Sequence, residues 1–502
     1  MDNQTDEIIY SLYKPFRNKI SKYYNQEECL YLVWAYSRNL LFNFPFPPEI
    51  EVIPTFNPNE CLKIRRTKGI PEFILEFLSK EFIMNCQNIK TKKSIWKKEE
   101  FFKIEKYVSN ELYINIENLN NSQTDDLLDF NRKIQVQVKG QLSFDRETIL
   151  RYYKLYSDDK LNLIIQNKLG LNAYQLFLLV FIFFHWTSKH FKSLLPFAIP
   201  NFSKESIATF LSHFSIKIDD AREELKNCQE INQNLFYSYN PILARPILTR
   251  DNYFFCPYPL SIYWIISEGL YYHVVNEIGF SDSFGPSFER YIGEVLHKIC
   301  DSNIAIFPET TYDKPEKRTT DWLLVDNDSI MFLECKTKRP TLHSKTKIDP
   351  NVPGGILKDL KILANEIRKI YTTFLDFKNG KYQQPEFDST KNIHLTIVTL
   401  EDWYIYLNPF ISKKLDELLI QCFEEEKLDV NLIELYPYTI FSSKDFEREI
   451  QVINSIGINE YFQLRYNLEY HELNNIRRKI KFVDIFDVDS QDIFQMPDNM
   501  IA

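Results

Sequence analysis

Glycine is scarce, with 11 in 502 residues against 40 Phe and 30 Tyr, an imbalance that matches the coding bias of an AT-rich genome and carries little functional weight. Other absences exclude more. No GxxxxGK[ST] stretch occurs, so the chain offers no intrinsic P-loop ATPase, and energy-driven translocation would need a partner. No GxSxG elbow is present to activate a serine. The eight cysteines stand singly at 29, 61, 86, 228, 256, 300, 335 and 422, without a CxxC pair. With the polar start MDNQTDEIIY, which has no secretory pattern, they lead us to expect a reducing cytoplasm. Net positive charge is also missing: the formal charge is −9, which argues against a protein that coats nucleic acid through its whole surface. The most apolar run, LFLLVFIFF from Leu176 to Phe184, is about half the length a bilayer requires and predicts a buried helix, not a membrane span.

What the chain does have is apolar material, 44% of residues with 15% aromatic, over a length suited to two to four domains. Global disorder is excluded. The first 245 residues read as mainly helical, a region for sensing, regulation or substrate binding, with RKIQVQVKG near residue 135 as its clearest strand. NFSKESIATFLSHFSIKIDDAREELKN, from Asn201, predicts two packed helices with Ser203 as a cap. Prolines at 241, 246, 257 and 259 mark a boundary near residue 245. A second unit then runs from 246 to 400, and 401–502 form a C-terminal α/β extension packed on it.

From Ser287 the pattern becomes regular. SFERYIGEVLHKIC is amphipathic. NIAIFPETTY, TTDWLLVD and SIMFLECK follow as strands, the last two joined by the polar turn NDS. A helix over GGILKDLKILANEIRKIYTTFLDF and a strand over IHLTIVTL complete an α-β-β-β-α-β order, expected for a mixed sheet flanked by helices in an α/β (α+β) fold.

Residues i and i+2 of a strand share a face, so Glu334 and Lys336 project together while Cys335 points away with Leu333 and Met331. A hairpin through NDS would bring Asp321 beside them. Two carboxylates about 4 Å apart repel by roughly 4 kcal/mol at an effective dielectric near 20, so such a pair calls for a cation or a proton. Asp321, Glu334 and the main-chain carbonyl of Cys335 are oxygen donors of the kind Mg²⁺ takes. Lys336 beside them can orient or deprotonate a water and stabilise a phosphorane-like transition state. Glu289 or Glu294, on the preceding helix, can add a ligand. The acid-x-Lys tripeptide alone means little, since Asp158/Lys160, Glu224/Lys226, Asp359/Lys361, Asp376/Lys378 and Glu425/Lys427 share it. The context sets Glu334 and Lys336 apart: they end an apolar strand that follows an Asp-bearing strand through a short turn. The competing account is an ordinary surface hairpin with a cross-strand ion pair, worth about 0 to 1 kcal/mol.

Glu289, Asp321 and Glu334-Cys335-Lys336, placed on helix, strand and strand, resemble the PD-(D/E)xK phosphodiesterase superfamily over roughly residues 285 to 400. The resemblance implies a restriction-endonuclease-like core and a Mg²⁺-dependent nuclease, with Mn²⁺ able to substitute. Its two acids fall on Asp321 and Glu334 and its lysine on Lys336. It also favours Glu289 over Glu294, as an acid in the first turn of the helix. Thr320 stands where relatives commonly carry proline. By the same analogy the substrate is DNA in preference to RNA, and a large accessory region resembles bacterial effectors against phage, with an ATPase or sensor subunit as partner. No membrane association is expected.

Beside the motif, KTKRPTLHSKTK carries Lys338, Arg339, His343, Lys345 and Lys347 without an acid, either a loop that contacts phosphates or a solvated one. Lys358, Lys361, Lys317 and Arg318 are weaker candidates. KIRRTK (63–68) and IKTKKSIWKKEEFFKIEK (89–106) interleave basic and aromatic residues, which suits base stacking but better suits an amphipathic helix on a core. His185 and His190 lack the spacing and glutamate of a zincin and read as core packing. Two rivals to the nuclease stay open: a non-catalytic subunit binding nucleic acid or protein, and an RNA-cutting toxin.

Overall fold

A computed structural model describes residues 3–42, 44–51, 72–89, 93–108, 145–194, 199–231, 240–313, 317–341, 355–382, 385, 388, 390–405 and 409–486. The strand expected near residue 135, the KIRRTK stretch, His343, Lys345 and Lys347 lie outside these residues.

Helices dominate the first half. They are α1 (Asn3–Tyr23), α2 (Gln26–Phe42), α3 (Glu72–Asn85), α4 (Lys98–Lys106), α5 (Arg146–Tyr156), α6 (Asp159–Leu169), α7 (Ala173–Lys189), α8 (Lys204–Phe214) and α9 (Ile218–Ile231). The apolar run becomes α7, opened by a reciprocal capping box between Asn172 and Gln175 and buried along most of its length. Among the described residues no single helix is long and apolar enough to cross a membrane, although α6 and α7, bent by 62°, together reach that length and composition. Ser203 caps α8 by accepting from the Ser206 amide, as its position predicts. His190 differs from expectation: it sits exposed at the C-terminal cap of α7 instead of in the core, because the helix ends there.

Four short strands, β1 (Lys192–Leu194), β2 (Ser215–Lys217), β3 (Ile247–Arg250) and β4 (Tyr253–Phe255), form a sheet in the order β1-β4-β3-β2. Side chains alternate across it. Leu248 and Phe255 join a core with Phe16, Trp34, Phe82 and Phe101, while Ile247 and Phe254 join another with Phe177, Phe183 and Phe210. The sheet is therefore a wall between two cores, and a boundary near residue 245 would run through it. Proline punctuation marks the turns around β3 and β4, which packing then draws back toward the preceding helices.

The second half opens with α10 (Ser261–Trp264), α11 (Glu268–Val274) and α12 (Phe280–Ile299). A five-stranded mixed sheet follows, in the order β11-β10-β9-β8-β5. Its strands are β5 (Ala305–Pro308), β8 (Trp322–Val325), β9 (Ser329–Lys336), β10 (Asn392–Thr399) and β11 (Tyr438–Ser442), with β6 (Thr311–Tyr312) and β7 (Lys317–Arg318) forming a separate ribbon. β8 runs antiparallel to β5 and β9, whereas β9, β10 and β11 are parallel. One face, with Met331, Leu333, Cys335 and Val398, packs in the core that holds Phe288 and Ile292 of α12. The other, with Ile330, Phe332, Leu395 and Ile397, packs on α13 (Ile356–Lys378) and α14 (Pro409–Glu425). The fold is thus mixed α/β. The sheet does not stop near residue 400, because β11 pairs along all of its five residues with β10. The last helices, α15 (Asn431–Leu435), α16 (Ser443–Ile456), α17 (Ile458–Tyr466) and α18 (Tyr470–Lys479), follow the same layering.

Candidate active site

β8 and β9 form the predicted hairpin. Asp326 turns it, its Oδ1 accepting from the amides of Asp328 and Ser329. Its Oδ2 accepts from the Ile458 amide, which fastens the turn to the start of α17. The register pairs Trp322 with Leu333, and one step further the Asp321 Oδ2 accepts from the Cys335 amide at 2.6 Å. Lys336 Nζ lies 2.6 Å from Glu334 Oε1, so the i, i+2 pair does share a face, while Cys335 is buried with Leu333 and Met331. The segment before β8 is held without proline: Thr319 Oγ1 accepts from the Thr310 amide and Thr320 Oγ1 donates to the Trp322 carbonyl.

Trp322 also sets the distance to α12. Its ring lies over Gly293, where an added Cβ would come within 2.3 Å of ring carbons, and its Nε1 donates to the Glu289 carbonyl at 3.3 Å. Only a residue without Cβ permits this approach. It holds Glu289 near the site, whereas Glu294 is exposed and paired with Lys154. Glu289 is not in the helix's first turn, however. α12 begins at Phe280, ahead of Ser287 where the sequence pattern becomes regular, and carries Pro286 in its second turn.

The electrostatics are those of crowded acids. Burial and the carboxyls of Glu334 and Glu289 push Asp321 far above the usual carboxylate range, against the pull of the Cys335 amide and Lys336. Burial raises Glu334, which Lys336 partly offsets. Glu289 is raised by burial and by Glu309. The Lys336 ammonium is held above its ordinary range by Glu334 and Glu366, although burial opposes this.

Glu366, which the sequence reading did not single out, lies 3.2 Å from Lys336. It stands on α13 between Ile362 and Lys369, and all three line a pocket of about 660 Å³ together with Glu289, Lys336 and Lys338. Their spacing puts them on one helical face, but nothing in that pattern says which polar residue of an amphipathic helix turns to a site. Lys361 instead pairs with Glu425, Lys317 with Asp376, and Arg318 with Glu309. Lys338 is half-exposed, 3.9 Å from Asp359. Arg339, expected on a phosphate-binding loop, is buried, with Nη1 on Glu401 at 2.7 Å and its guanidinium 3.8 Å from the Tyr271 ring centroid. The Glu401 carboxylate and the face of the Tyr271 ring hold it inward against the cost of burial. In the N-terminal region Phe101 and Ile104 of α4 are buried and Trp96 donates to the Glu28 carbonyl, as for an amphipathic helix on a core.

Among the described residues no group of three or more His, Cys, Asp or Glu side chains is arranged to hold a metal ion. Asp321, Glu334 and the Cys335 carbonyl are nonetheless hard oxygen donors, and mutual repulsion of the acids is what a divalent cation relieves. The chain matches no protein-family model, no curated protein and no solved structure.

Proposed function

We propose that this protein is a divalent-cation-dependent phosphodiesterase acting on nucleic acid, with a PD-(D/E)xK type of site on a restriction-endonuclease-like core. One observation carries the reading: Asp321, just before β8, and Glu334 of β9 stand together with raised proton affinity beside Lys336, which with Glu289 lines a pocket of enzyme-site size. Asp321, Glu334 and the Cys335 carbonyl would hold Mg²⁺, or Mn²⁺ in its place, with Glu289 near enough to add a ligand through water. Such an ion, when bound, lowers the pKa of a coordinated water and neutralises charge on a phosphate.

Hydrolysis adds water across one P–O bond. The water oxygen bonds to phosphorus, its proton passes to a carboxylate or solvent, and the leaving oxygen departs with a proton from solvent. Lys336 stays protonated, since Glu334 and Glu366 raise its pKa, so it serves as a charge donor to the phosphorane and not as the base. Glu289, raised by burial and by Glu309 and reaching the ion only through water, is the better proton acceptor. DNA is favoured over RNA by the resemblance alone.

The test is cleavage of single- and double-stranded DNA and RNA by wild type, Asp321→Ala and Lys336→Ala, with Mg²⁺, Mn²⁺ or EDTA. Metal-dependent cleavage lost in both variants establishes the site and names the substrate. A second reading, a non-catalytic binding subunit, is favoured by the internal donors on both acids, the Cys335 amide and Lys336. It predicts binding without cleavage, unchanged by Asp321→Ala or EDTA.

A further inference from the structure

Phosphodiester hydrolysis leaves one wall of the pocket without a role. Tyr271 and Tyr272 of α11, with Phe280 and Phe284 of α12, line the same cavity as Lys336 and Glu366. Both tyrosines are half-exposed, while Phe280 and Phe284 are buried behind them. Tyr272 is braced by Trp264, the rings 5.9 Å apart and inclined by 11°. Tyr271 meets Phe280 edge-on and carries the Arg339 guanidinium on its face. Arg339 is 4% exposed, yet its Nε and Nη2 have no hydrogen-bond partner among the described residues. Buried N–H groups of this kind call for an acceptor. A bare phosphate needs no rigid aromatic wall. A base does, because stacking binds any base through its face, and lysines at the rim suit the phosphates on either side.

We infer that the pocket takes one unpaired nucleotide next to the scissile phosphate. Its base stacks on Tyr272, whose ring stands at 87° to that of Tyr271, its acceptor edge turns to Arg339 on the Tyr271 face, and its neighbouring phosphates meet Lys338 and Lys369. This rests on the nuclease reading and adds the form of the substrate: a single-stranded or frayed segment, since a base inside an intact duplex cannot reach the wall without leaving its stack.

The test measures binding apart from cleavage. Fluorescence anisotropy with Ca²⁺ in place of Mg²⁺ compares labelled oligo-dT, an abasic strand of equal length and a blunt duplex of equal length. Wild type is expected to bind oligo-dT about tenfold more tightly than the abasic strand and the duplex. Tyr272→Ala should abolish that preference, Tyr272→Phe should retain it, and the half-exposed position makes both variants compatible with folding. Equal affinity of wild type for oligo-dT and the abasic strand, or a preference that survives Tyr272→Ala, overturns the inference. Metal-dependent cleavage alongside equal affinities removes the base pocket and leaves the nuclease; base preference without cleavage under any metal does the reverse. No binding of any strand overturns both.

Discussion

Asp321 is the residue on which the site's pH behaviour turns. Its folded-state pKa is raised by burial, Glu334 and Glu289, so over the window between the ordinary carboxylate range and that raised value the folded chain holds more protons than the unfolded one. Stability from this group is therefore full at low pH and is lost as pH rises through the folded pKa. Metal-free wild type should melt at lower temperature at pH 8 than Asp321→Asn, by the equivalent of at least ~1 kcal/mol, the worth of one pKa unit. Because Asn keeps an oxygen for the Cys335 amide, the variant isolates charge from hydrogen bonding. Mg²⁺ should raise the wild-type melting temperature at pH 8 far more than at pH 5, and thermal melts with and without Mg²⁺ check both. At Lys336, removal of the ammonium to give Lys336→Ala should cut turnover by about 10²- to 10³-fold, the usual cost of losing one preorganised donor, as measured by single-turnover cleavage.

At the scale of elements, the contact of α12 with β8 decides whether Glu289 and Asp321 can share a site. Gly293→Ala would drive a methyl into the Trp322 ring, so strand or helix must shift. Overpacking of this sort costs about 1 to 3 kcal/mol, which denaturant unfolding would read as a lower midpoint with unchanged slope. Loss of metal affinity should accompany it, since the shift separates the acids. β9 itself was legible in the sequence: alternation in SIMFLECK placed Cys335 in the core and Glu334 with Lys336 on the other face, as the structure has them, whereas NIAIFPETTY, read as one strand, divides into β5 and β6 of separate sheets. The start of α12 was not, because Pro286 looks like a boundary in a linear reading, whereas Phe280 and Phe284, buried against each other one turn apart, carry the helix back past it.

Across the whole molecule, helices far apart in sequence are tied beneath the sheet. Arg151 of α5 meets Glu447 of α16 through two bonds of 2.5 and 2.7 Å, and Tyr291 of α12 donates to the same carboxylate at 2.5 Å. All three residues are buried. Glu447→Ala would strand a buried cation and should destabilise the protein by about 3 to 5 kcal/mol, whereas Arg151→Met with Glu447→Leu should recover most of that loss. Urea unfolding of both variants distinguishes the two outcomes. This tie makes the C-terminal segment part of the framework that carries Glu289, and not a separate appendage.

By itself the sequence determined the local order of helices and strands, the hairpin that joins Asp321 to Glu334, and the side of the strand on which Lys336 stands. These follow from turn chemistry and period-two alternation, which act over a few residues. Tertiary structure alone decided that Glu366, Tyr271 and Tyr272 share the pocket, that Arg339 turns inward to Glu401, and that β11 completes the sheet. Those outcomes depend on which faces of distant elements bury one another, and an amphipathic pattern states that a face will be buried without naming what will cover it.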